Sequence, residues 1–148
     1  MTDRDRQIAA LNEAFAHKFH SLAQYIAQAR PYVRPGQEAA LREIEAIAAE
    51  DARQAESLAE AIEALEGIPH AGLHAASVAE LNYLSLDYLL RVLIEAREKD
   101  LRQYETLAAE LAAELAADGA SGALFTALRE AAAAQLQRLR ARTAPAQP

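Results

Sequence analysis

The placement of proline and glycine constrains this chain most. All of them fall at 31–36, 67–72, 119–122 and 145–148, and between these places apolar residues recur at helical spacing. The first segment is expected to form one helix from Thr2 or Asp3 to Arg30, with Ile8, Leu11, Phe15, Leu22, Ile26 and Ala29 as its apolar stripe. Pro31 and then Pro35-Gly36 stop it, because proline has no N–H to continue the ladder. A second row, Ala9, Ala16, His20, Ala23 and Ala27, is small and weakly polar and suits close approach by another helix, including one from a second subunit.

The second segment predicts a helix over 37–66, with Leu41, Ile44, Ile47, Ala48, Ala55, Leu58, Ile62 and Leu65 facing inward. One charged residue, Asp51, falls on that stripe. Gly67 reads as its C-cap, and Ile68-Pro69 prevents continuation. His70 to Val78 is a connection. From Ala79 to Asp118 the pattern is helical almost throughout, which is long for one bundle helix. Either the helix starts later, with part of 77–88 as a crossover, or it is one long bent rod. Gly119 to Gly122 is expected to turn the chain, with Ser121 as the cap of a last helix over 123–141 bearing Leu124, Leu128, Leu136 and Leu139. The tail from Thr143 to Pro148 reads as frayed.

Hydrophobic residues make up 52% of the 148, but aromatics only 5%, so the core is built from alanine and leucine and lets helices approach closely. The length suits one domain, 1–148, and the whole reads as an all-α four-helix bundle. A net charge of −7 argues against a nucleic-acid-binding surface. The one basic cluster, Arg129, Arg138, Arg140 and Arg142, lies late in the last helix, where it complements the macrodipole. The absence of cysteine excludes disulfides, thiolate metal sites and cysteine nucleophiles. No apolar run is long enough to span a membrane, and the opening Met-Thr-Asp-Arg-Asp-Arg lacks the apolar core of a signal peptide, so a cytoplasmic location is expected.

Leu11-Asn12-Glu13 and Leu22-Ala23-Gln24-Tyr25-Ile26 in the first helix, followed in register by Leu65-Glu66-Gly67-Ile68-Pro69, resemble bacterioferritin within the ferritin-like superfamily. The resemblance covers 7–70 well and the second half in outline. It implies a di-iron centre in the bundle core, fed by one Glu from each of two helices and a Glu-x-x-His from each of the other two. On this register the first-helix Glu position is occupied by Lys18, and the second-helix Glu-x-x-His by Asp51-Ala52-Arg53-Gln54. In the last helix Glu130 is followed by Ala131–Ala134, with no histidine. Asp87, Glu95 and Glu98 are all candidates for the third-helix carboxylate. Met1 is the only methionine, so the methionine that ligates haem between bacterioferritin subunits is absent.

A carboxylate on an apolar stripe needs a partner. Asp51 is therefore read as ion-paired with Lys18, or with Arg91 or Arg97, in preference to a surviving metal ligand. His17 and His20, three apart, can reach one transition metal from a helix surface, with Glu13 and Gln24 on the same side. Ordinary surface or interface histidines are the plainer reading. His70 and His74 lie in the connection, where they have a lesser claim. Tyr25, Tyr83, Tyr88 and Tyr104 suit core or interface positions, Tyr25 keeping a minor claim because the family places a tyrosine near its metals.

Two functions follow. In the first, the di-iron centre is largely dismantled, no cofactor or catalytic residue is expected, and a homo-oligomer, a dimer or larger, acts by binding or assembly. In the second, an unorthodox site of Asp51, Gln54, His17, His20 and Glu98 binds iron or another divalent transition metal in an oxidoreductase or storage subunit.

Overall fold

The computed structural model describes residues 1–29, 31–72 and 78–143. These form helices α1 (Asp3–Phe19), α2 (Leu22–Gln28), α3 (Glu38–Ala64), α4 (Leu86–Glu110), α5 (Ala112–Ala117) and α6 (Gly119–Thr143), with a 3₁₀ turn at Val78–Leu81. Four arms result, α1–α2, α3, α4–α5 and α6. The first packs on α3, α4 packs on α6, and α3 meets α6.

The first arm starts where a reciprocal cap holds it. Thr2 Oγ1 accepts from the Asp5 N–H, and Asp5 Oδ2 accepts from the Thr2 N–H at 3.0 Å. It is two helices rather than the expected one. Ser21 is extended, and its hydroxyl caps α2 by accepting from the Gln24 N–H at 3.2 Å. Gln24 Nε2 returns to the Lys18 carbonyl at 2.6 Å. The small-residue row is consequently not one surface: Ala9 is exposed, Ala16, His20 and Ala27 are half-buried, and Ala23 lies wholly in the core.

The helix at 38–64 ends in a two-bond cap, with Glu66 N–H donating to the Glu63 carbonyl and Gly67 N–H to that of Ile62, both at 2.9 Å. The left-handed residue is Glu66 (φ 63°), not the glycine expected to cap. Gly67 is needed for another reason. A Cβ there would stand 2.9 Å from Ile8 Cγ2, so its bareness lets α1 close over the end of α3.

The long third segment starts late, at Leu86, where Ser85 Oγ accepts from the Tyr88 N–H at 3.2 Å, and it is interrupted again at Leu111. The last helix begins at Gly119, earlier than expected. Asp118, not Ser121, supplies the cap, accepting from the Ser121 backbone N–H at 3.4 Å and its hydroxyl at 2.7 Å. Gln7 Nε2 donates to the same carboxylate at 2.5 Å, fixing this turn to α1. The tail residues 144–148 lie outside the described residues.

Both α3 and α4 start at one end of the bundle. Gln37 Nε2 donates to Asp87 Oδ1 at 2.8 Å there, and Tyr32 forms a parallel bridge with Ser85. Arg4 Nε donates to the Leu65 carbonyl at 2.8 Å at the other end. The helices α3 and α4 are therefore parallel, with Leu65 at one end of the bundle and Ser85 at the other.

The core has two apolar clusters. Leu11, Phe15, Leu58, Ile62, Tyr104, Phe125 and Leu128 belong to one, and Ile26, Ile44, Ile47, Leu86, Leu89, Leu93 and Leu139 to the other. On each arm one long or charged buried polar residue lies between them in sequence. These are Lys18, Asp51, Arg97 and Gln135. A polar layer interrupts the middle of an apolar core.

Candidate functional site

Each member of the polar layer sits where an apolar stripe places it. Lys18 follows Leu11 and Phe15 at helical spacing, Asp51 lies between Ala48 and Ala55, and Arg97 lies between Leu93 and Tyr104. Lys18 and Asp51 are both 0% exposed and Arg97 is 2% exposed. The Lys18 ammonium donates from Nζ to Asp51 Oδ1 at 3.0 Å, and Arg97 Nη2 donates to Asp51 Oδ2 at 2.6 Å. The Ser21 hydroxyl bonds the same carboxylate. Arg97 reaches a second acid, its Nη1 lying 3.5 Å from Asp100 Oδ2. Lys18 Nζ also stands over the Tyr104 ring, 5.6 Å from its centre.

Burial and charge pull against each other here. Burial would raise the Asp51 carboxyl, but Arg97 and Lys18 outweigh it and hold the group below its ordinary range. Burial pulls the Lys18 ammonium down to about 8, Arg97 pushes the same way, and Asp51 restores only part. Arg97 would be lowered by burial, yet Asp51 and Asp100 raise it on balance. Burial raises the Tyr104 phenol, which stays neutral. Two cations and two carboxylates therefore balance, with the more buried carboxylate shared between both cations.

Other sequence candidates lie elsewhere. Gln54 is half-buried, with Oε1 unpartnered. Glu98 forms an ion pair with Arg140 at 2.8 Å. Asp87 is held by Arg34 at 2.7 Å at the bundle end, and Glu95, Arg91 and Glu130 are exposed. His20 Nδ1 meets the Tyr25 hydroxyl at 2.9 Å and Nε2 meets the Gly72 carbonyl at 3.3 Å. His17 Nδ1 faces Asp100 Oδ1 at 3.7 Å, too long for a hydrogen bond. His70 Nδ1 accepts from the Gly72 N–H at 2.9 Å. His74 lies outside the described residues. Among those described, no three His, Asp or Glu side chains converge as a metal-binding group.

Sequence reasoning missed the outer support of this layer. Gln135 Nε2 donates to Glu50 Oε2 at 2.7 Å, and Arg138 Nε donates to Glu43 Oε1 at 2.5 Å, linking α6 to α3. Three of the arginines assigned to the macrodipole, Arg138, Arg140 and Arg142, pair with acids on neighbouring arms. A polar residue on the Leu128–Leu136–Leu139 side of α6 was the available signal for Gln135.

Among the described residues, no helix is long and apolar enough to cross a membrane. Comparison with curated proteins and with solved structures gives no match. The family model described as "Ferritin-like domain" matches residues 8–140, a span that reaches into all four arms and takes in the whole polar layer, and the chain belongs to that family.

Proposed function

We propose that this chain is a ferritin-like protein whose di-iron centre has been replaced by a network of fixed charges, and that it acts by binding or assembly rather than by ferroxidase chemistry. One observation carries the reading: Asp51, the carboxylate at a family ligand position, has both oxygens taken by Lys18 and Arg97. A divalent metal needs anionic or neutral lone-pair donors. Here an ammonium and a guanidinium, which offer none while protonated, stand against Asp51, the one buried carboxylate among the described residues. The donor set does not fit a dinuclear iron centre. The last arm adds Ala131–Ala134 where the family pattern would bring an imidazole.

Anaerobic titration with ferrous iron, followed by admission of oxygen, tests this. The expected result is oxidation no faster than in protein-free buffer and no saturable iron binding. Rapid oxidation at two irons per chain, lost in Asp51→Ala, would overturn it and favour the metal-binding alternative with His17, His20 or Gln54.

A further inference from the structure

No glycine or proline accounts for the break between α1 and α2, so side chains must hold the arm out of a continuous helix. On its inner side the break is fastened to the charge network. Lys18, in the last turn of α1, donates from Nζ to Asp51 Oδ1 at 3.0 Å. Ser21, just past the break, is buried, and its hydroxyl bonds the same carboxylate. Gln24 Nε2 then closes over the gap to the Lys18 carbonyl at 2.6 Å. On the outer side the His20 ring meets the Tyr25 hydroxyl at 2.9 Å and the Gly72 carbonyl at 3.3 Å. The inner bonds decide the geometry, because they end on a buried carboxylate, and charge-assisted bonds are about twice as strong as neutral ones. Without Asp51 the buried Ser21 hydroxyl would lose its acceptor. A continuous helix offers another, the His17 carbonyl four residues back.

The break in turn shapes a groove of about 520 Å³. Phe15 and Phe19 line it from α1, Gln24 and Tyr25 from α2, and Ala52 and Ala55, close to Asp51 in sequence, from α3. A helix running on through Ser21 would carry Gln24 and Tyr25 to new positions relative to Phe19, and the groove would be lost. The face bears both a knob, the half-exposed Phe19, and a floor of alanines, so a second copy of the chain complements it. We propose that the buried charge network is a positioning device for this face. Through Lys18 and Ser21 it holds the break, and the break gives the groove the shape that a second copy covers, a role that rests on the reading that the chain acts by assembly.

The test is the full chain carrying Lys18→Met, Asp51→Leu and Arg97→Met together, which removes the network but keeps the Ser21 hydroxyl as a cap. Backbone carbon chemical shifts and native mass are measured side by side. Ser21 should show extended values in wild type and helical values in the triple variant. Association of the triple variant should weaken by on the order of tenfold, as for a misfitted contact. Adding Ser21→Gly should restore both, because glycine caps a helix without the network and disfavours a continuous one. Extended values kept in the folded triple variant, or helical values with undiminished association, would overturn the proposal. Should the triple variant fail to fold, Ser21→Ala leaves every charge in place, and unchanged shifts there would overturn it equally. A wild type that is monomeric at every concentration refutes the assembly reading instead, and the shifts still decide whether the network holds the break.

Discussion

Asp51 faces two cations, so removing each of the three charges has a different cost. Asp51→Ala leaves an ammonium and a guanidinium buried together and should destabilise by about 3–5 kcal/mol. Lys18→Met leaves Asp51 still bound by Arg97 and should cost less, roughly 1–3 kcal/mol. Replacing all three by Met, Leu and Met should be neutral or stabilising, since Asp100 is then left with partial solvent contact. Denaturant midpoints at constant slope would check this order, and equal losses for the two single variants would refute it. Lys18 also links stability to pH. Its folded value of about 8 lies below its ordinary 10.5, so between these the unfolded chain holds more protons and stability rises with pH. Wild type should therefore gain on Lys18→Met from pH 8 to 10.5, and a flat difference would show an ordinary lysine. Asp51 acts at the acid side. Its contribution is present above 3.8 and is lost as pH falls through its lower folded value.

Gly122 gives an element-level test that ordinary helix propensity would get wrong. It lies inside α6, where Ala normally gains about 1 kcal/mol over Gly. Here an added Cβ would stand 2.9 Å from the Leu115 carbonyl oxygen, backbone that no rotamer can move. Gly122→Ala should thus lower stability, by about 1–3 kcal/mol, through parting α5 from α6. A thermal midpoint at or above that of wild type would refute the close approach. The inner face of α3 was legible in the sequence because its period is long and unbroken. The turn at residue 21 was not, because it contains neither glycine nor proline and rests on Ser21 and Gln24, residues equally at home inside a helix. Likewise Asp51 announced itself as a charge on an apolar stripe and Lys18 entered through the family resemblance, while Arg97 was one of two arginines weighed as partners, six residues apart on α4. Only the packing of α4 decided between them.

At the scale of the whole molecule, the apolar groove along the first arm and α3 is the surface that bears on assembly. It holds about 520 Å³ between Phe15, Phe19 and Tyr25 on one side and Ala52, Ala55 and Ala59 on the other, and Phe19 stands 54% exposed. A second copy presenting the same knob and small-residue row can cover it. Native mass is expected to show a dimer or larger, shifted toward monomer by Phe19→Glu; a monomer at all concentrations would count against assembly. Four arms are readable from where the helix breakers fall, but the choice between a crossover and one long bent rod, and which arms neighbour one another, needed the structure. The charge network has a last consequence, for quality control. A dinuclear carboxylate site takes whichever divalent ion binds tightest, so copper or zinc can displace the intended metal. Positive charges attached through Lys18 and Arg97 are delivered by translation itself. On the function proposed above, such a core would not be open to mismetallation, and its maturation would not wait on iron supply.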